Sequence, residues 1–175
     1  LVFIIILGLE SARQAVTSLK KRRRMEELEQ FALNDSMTGF YNRNAYDYFI
    51  YNEKNIKNYM VVTFDLNNLK MCNDNYGHSS GDAYIIHSAH IIETTFDRFG
   101  KCYRIGGDEF CCLIPDAAEF QIERFIQKMQ QDIAILNNKN IIPTEVGIAC
   151  GYALATPDDA DIEKVRERAD EMMYH

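Results

Sequence analysis

Three prolines and nine glycines in 175 residues are too few for a low-complexity linker or a collagen-like chain. No stretch approaches the roughly 20 apolar residues of a complete membrane span. The five cysteines, Cys72, Cys102, Cys111, Cys112 and Cys150, show no C-x-x-C spacing and no histidines at zinc-like intervals. They suggest neither a disulfide framework nor a zinc site, and imply a reducing compartment. His87 and His90 stand three apart on an expected helix, but no third metal ligand accompanies them. A G-x-x-x-x-G-K-[ST] run is missing, which excludes an ordinary P-loop. Basic residues are also short, 19 against 26 acidic, and unevenly placed: residues 1–30 hold six Lys/Arg and four Asp/Glu, leaving the remainder with nine net negative charges. An acidic body argues against a nucleic-acid binder, and any nucleotide handled here needs a metal ion or local basic groups to offset phosphate repulsion.

What is present, 47% apolar and 26% charged residues, is the composition of one globular domain. Leu1 to Leu9 are all apolar or glycine, and the basic run Lys20–Arg24 follows. Nine such residues cannot span a bilayer, but their position ahead of a basic cluster reads as the stub of a transmembrane helix, residues 1–9, with the cationic side cytoplasmic. Charges that follow the apolar stretch instead of preceding it argue against a signal peptide. Between Ser11 and Leu33 there is no Pro or Gly, and Leu9, Ala12, Val16 and Leu19 hold heptad-like spacing, so residues 10–34 read as a signalling helix able to pair with a twin.

From residue 35 onward the pattern becomes mixed α/β. Tyr59–Leu66 is a near-continuous apolar run suited to a central strand buried on both faces. Asp82–Phe96 places Ile85, Ala89, Ile92 and Phe96 at helical spacing. Lys101–Ile114 has two strand-like arms around Gly106-Gly107-Asp108-Glu109, a hairpin with a carboxylate-bearing tip. Ala117–Leu136 reads as a second amphipathic helix, and a final helix with Ile162, Val165, Ala169 and Met172 on one stripe follows an Asp-rich cap. Glu145–Ala155 alternates bulky residues with Gly or Ala, so one face of that strand is nearly bare.

Three acids fall where strands end: Asp65, Asp108 and Glu109. If the hairpin lies beside the central strand their oxygens converge, and hard carboxylate oxygens are what Mg²⁺ requires. The segment after Asp65 is dense in polar side chains and glycine, and is read as a polar loop between strand and helix, where exposed N–H groups and a lysine meet phosphates.

Asp35-Ser-Met-Thr-Gly-Phe-Tyr-Asn-Arg43, Asp65-Leu-Asn-Asn-Leu-Lys70 with Asn73, Gly77, His78 and Gly81-Asp82, Arg104-Ile-Gly-Gly-Asp-Glu-Phe110, and Ala169-Asp-Glu-Met-Met-Tyr174 resemble, in order, the motifs of the GGDEF family of diguanylate cyclases. The resemblance spans residues 35–175. It implies an α/β (α+β) fold like polymerase palms and nucleotidyl cyclases, with a central antiparallel-mixed sheet flanked by helices behind the N-terminal signalling helix. It also implies condensation of two GTP molecules into cyclic di-GMP at a homodimer interface. By this resemblance Asp65, the carbonyl of Leu66 and Asp108 hold Mg²⁺ or Mn²⁺. Asp108 accepts the proton, Glu109 assists, and Lys70 with the N–H groups of Asn68 and Leu69 meets the phosphates. Asn73, His78 and Asp82 contact guanosine; an ionised Asp82 can accept from guanine N1–H and N2–H₂ together, whereas adenine offers an acceptor at N1.

Departures carry information too. Asn67 stands where the family often has a second Asp, removing one possible metal-ligand charge. Asp97-Arg-Phe-Gly100 replaces the R-x-x-D of the family's product-inhibition site. The family continues past its Tyr with Ala-Lys and Gly-Arg, so the domain is expected to lack its C-terminal end at His175. The whole reading is a diguanylate cyclase at the inner or plasma membrane, attached through the segment before residue 10, with an upstream sensor and a cytoplasmic catalytic domain. A non-catalytic GGDEF module that binds GTP or a protein partner is the alternative.

Overall fold

The computed structural model describes residues 13–25, 32–53, 55–117 and 121–173. Residues 13–25 form an exposed helix, α1, within the expected signalling segment. The apolar stretch 1–9 lies outside the described residues, and no helix among those described is long and apolar enough to cross a membrane. The remaining elements are α2 (Arg43–Asn52), β1 (Met60–Leu66), α3 (Leu69–Tyr76), α4 (His78–Phe96), β2 (Lys101–Arg104), β3 (Glu109–Ile114), α5 (Ile122–Asn138), β4 (Ile148–Leu154) and α6 (Ile162–Met173).

The four strands form one sheet in the order β2-β3-β1-β4, antiparallel throughout. The sheet flanked by helices expected from the sequence is present, and among the described residues parallel pairing is confined to the isolated bridge of Tyr41 to Tyr103. β1 is central and six of its seven residues are buried, because alternate side chains enter two separate cores. Met60, Val62, Phe64 and Leu66 pack with Tyr84, Ile85, Ile92 and Phe96 of α4. On the opposite face, Val61 joins Tyr46 of α2 and Ile162, Val165 and Ala169 of α6.

The bare face of β4 now has a cause. A Cβ on Gly151 would fall on the carbonyl oxygen of Ala169 and lie 2.8 Å from the Cβ of Met173, so α6 rests directly on strand backbone. Gly151→Ala should therefore cost about 1–3 kcal/mol by overpacking. A urea melt checks this; an unchanged midpoint would mean that α6 does not seat so closely.

Two further expectations need correction. The polar segment after β1 is largely helical: Leu69 and Cys72, three apart, bury one face of α3. Met71 and Tyr76 are exposed, and two buried positions in eight residues are too few to register as periodicity. Second, a disulfide joins Cys102 to Cys112, whose Cα atoms sit 4.2 Å apart as directly opposed residues of β2 and β3. Their ten-residue separation carries no signature until the hairpin register is known. The helix expected from Ala117 begins at Ile122, and residues 118–120 lie outside the described set.

Candidate active site

β1 delivers Asp65 one residue before its end, and the β1–β3 register sets Glu109 directly opposite. Opposed residues of an antiparallel pair have Cβ atoms roughly 5 Å apart. The hairpin tip is tied to the same place, since Leu66 N–H donates to the Asp108 carbonyl at 3.1 Å. Asp65, Asp108 and Glu109 therefore share one end of the sheet. Burial and then the negative charges of Asp108 and Glu109 raise the Asp65 carboxyl above its ordinary value. Among the described residues, none of the three acids forms an ion pair with a Lys, Arg or His. No three Asp, Glu, His or Cys side chains among those residues approach closely enough to form a metal cage. Oxygen donors of the kind a hard cation takes are nonetheless present at this end of the sheet, the carboxylates of Asp65, Asp108 and Glu109.

The tip is held from behind by Arg104. Its Nη2 donates to the Gly107 carbonyl at 2.7 Å and its Nη1 to Asp35 Oδ1 at 3.1 Å. Asp35 also accepts from the Thr38 N–H (2.9 Å) and hydroxyl (2.7 Å). Burial works to raise the Asp35 carboxyl, but these hydrogen bonds and the guanidinium outweigh it and hold it below the usual carboxylate range. The first and third motifs are thereby one structural unit, a role the sequence did not assign to Asp35, Thr38 or Arg104.

Behind Asp65 and Glu109 a cavity of about 100 Å³ is lined also by Thr63, Arg166, Asp170 and Met173. Arg166 pairs with Glu163 and Asp170, and the Tyr46 hydroxyl donates to Glu163 at 3.0 Å, linking α2 to α6 beside the acids. These residues too were missed, because pairing across elements leaves no local spacing signal.

The other candidates lie along α3 and α4. Asn68, in the left-handed region at φ 58°, turns the chain from β1 into α3, whose first residue is Leu69. Asn67, Asn68 and Lys70 are exposed and Leu69 is buried. Asn73 on α3 lies against Gly81 of α4, where any Cβ would strike its amide, so the missing side chain brings Asn73 alongside the residue preceding Asp82. Asp82 is exposed, and His78, also exposed, stands one helical turn earlier on α4. The structure thus groups Asp65, Asp108 and Glu109 at the strand ends, and sets Asn73 against Gly81, the neighbour of Asp82 in the chain, at the α3–α4 junction.

The family described as "Diguanylate cyclase, GGDEF domain" matches residues 32–175. Diguanylate cyclase DgcN of Escherichia coli is 30% identical over 162 residues, covering 89% of this chain and 40% of its own length. Diguanylate cyclase DgcS of Shewanella oneidensis is 27% identical over 158 residues, covering 85% and 51%. The chain thus spans about half or less of these relatives. The crystal structure of the coiled coil and GGDEF domain of DgcB from Caulobacter crescentus, in complex with c-di-GMP, superposes with a TM-score of 0.81 at 22% identity, covering 96% of this chain and 92% of that one.

Proposed function

This chain belongs to the GGDEF family of diguanylate cyclase domains, and on that footing we propose that it joins two GTP molecules into cyclic di-GMP. Each 3′-hydroxyl oxygen bonds to the α-phosphorus of the other nucleotide, pyrophosphate leaves from each, and Asp108 accepts the hydroxyl proton. Two half-sites have to face each other, so the active form is a homodimer. The observation that carries the reading is the acid group of Asp65, Asp108 and Glu109 at one end of the sheet, without an ion-pair partner among the described residues. These oxygens fit Mg²⁺ or Mn²⁺, held by Asp65, Asp108 and the Leu66 carbonyl. When bound, such an ion supplies charge stabilisation at the α-phosphate and lowers the pKa of the attacking hydroxyl.

The chain's own groups do the rest. Asp82 and Asn73 receive the guanine edge, His78 stands at the same junction, and Asn68, Leu69 and Lys70 face the phosphates. Incubation with Mg²⁺ and GTP followed by mass spectrometry tests the proposal. Cyclic di-GMP with two equivalents of pyrophosphate is expected. A verified dimer that binds GTP yet releases neither product would instead make the domain a regulatory GTP-binding module.

Base selection has its own test. Removing the Asp82 carboxylate in Asp82→Ser should reduce the preference for GTP over ATP by roughly tenfold or more, since a charge-assisted bidentate contact contributes about 1.5–3 kcal/mol. Competition kinetics with both nucleotides read this directly, and unchanged selectivity would remove Asp82 from base recognition.

A further inference from the structure

Tyr84 is fully buried on α4, yet its hydroxyl reaches three backbone groups. It accepts from Gly147 N–H at 2.7 Å and lies 2.8 Å from the Asn67 carbonyl and 3.0 Å from the Gly147 carbonyl. A phenol has one proton to donate. Gly147 O already receives the Asn67 N–H at 2.9 Å, so the phenolic proton is best used on the nearer Asn67 oxygen. Burial raises the Tyr84 phenol and keeps it protonated as that donor. The loop leaving β1 and the segment entering β4 are therefore stapled together from beneath by one side chain.

The consequence falls on the next peptide atom. Asn67 C=O and Asn68 N–H belong to a single trans peptide plane, where they point in opposite directions. Fixing the carbonyl inward on a core tyrosine fixes the Asn68 N–H outward, on the exposed side of the loop. We propose that Tyr84 is a positioning residue, acting through the Asn67–Asn68 peptide to hold the Asn68 N–H toward the triphosphate of the bound nucleotide. This rests on the GTP-binding reading above. Tyr84 touches no substrate itself.

Tyr84→Phe removes the hydroxyl and little else. In the wild-type protein with Mg²⁺, binding of the α,β-methylene analogue of GTP, whose α–β bridge cannot be cleaved, and of guanosine is measured by calorimetry, alongside GTP kinetics. In the variant, affinity for the triphosphate analogue should fall roughly three- to tenfold, the effect of one misplaced hydrogen bond, while guanosine affinity stays as in wild type. KM for GTP should rise by the same factor with kcat nearly unchanged. Equal affinities in wild type and variant would overturn the proposal, as would an equal loss for analogue and guanosine, which marks general loosening. Should Tyr84→Phe fold poorly, Tyr84→Met, equally lacking the hydroxyl, takes its place with the same outcomes. Failure of the wild-type protein to bind the analogue at all would overturn the GTP-site reading itself, and that result is seen before any variant is made.

Discussion

Replacing Asp108 by asparagine is expected to abolish measurable turnover while leaving the metal-free protein as stable as wild type or slightly more so. The two effects separate because Asp108 contributes to the fold through its backbone: its carbonyl accepts from Leu66 N–H, and an asparagine keeps that bond. The carboxylate contributes charge, and in the folded protein it faces Asp65 and Glu109 with no cationic partner among the described residues. Loss of a metal-holding, proton-accepting carboxylate should cost at least about 4 kcal/mol of transition-state stabilisation, or roughly a thousandfold in rate. Relief of like-charge repulsion should raise the melting temperature by up to about 2 °C.

The pH dependence has a definite sign. Asp65 is held above its ordinary value of 3.8 in the folded state. Its contribution to stability is thus present below that value and is lost as pH rises through the folded pKa, leaving a repulsive ionised cluster at neutral pH. Added Mg²⁺ should therefore raise the neutral-pH melting temperature of wild type and have much less effect on Asp108→Asn. Thermal melts with and without Mg²⁺, set beside product formation, check both halves. A collapse of metal-free stability in the variant would make Asp108 a structural turn residue.

How far the sequence alone could reach is clear at this same end of the sheet. Asp65 and the Gly106–Glu109 turn announce themselves because a buried strand ending in an acid and a glycine turn bearing two acids are local patterns. The alternation of bulky and bare residues in β4 was equally plain, although its cause, α6 resting on Gly151, belongs to the packed fold. What stayed hidden depends on partners far apart in the chain. Arg104 meets Asp35 across 69 residues and Tyr84 meets Gly147 across 63, and the Cys102–Cys112 bond needs the strand register. Such pairs have no period or spacing to read. The short helix α3 was hidden for another reason, a polar composition that outweighed its two buried positions.

The Arg104–Asp35 pair carries the second large effect. Their side chains are 11% and 23% exposed, so either one left alone is a poorly solvated charge. Arg104 Nε is already buried without a hydrogen-bond partner, so the side chain depends on its two terminal nitrogens. Arg104→Met should destabilise the domain by about 2–4 kcal/mol, and Asp35→Ala by a similar amount. The double variant should lose distinctly less than the sum, because the second removal takes away a charge that the first had orphaned. Asp35 also sets an acid limb opposite in sign to that of Asp65. Its carboxyl lies below 3.8 in the folded state, so its contribution is present above that value and is lost as pH falls through the folded pKa. In Arg104→Met that acid loss should shrink toward the part supplied by Thr38 alone. Activity should fall with it even at temperatures where the variant is fully folded. Gly107 O, the acceptor of the lost Nη2 bond, immediately precedes Asp108, and misplacing a reacting group by about 1 Å can cost on the order of a hundredfold. Urea melts of the four proteins at two pH values, with turnover measured on the same samples, test the chain of cause from Asp35 to the tip. Additive losses of stability would show that the two residues act separately, and wild-type turnover in folded Arg104→Met would show that the tip keeps its geometry without the clamp.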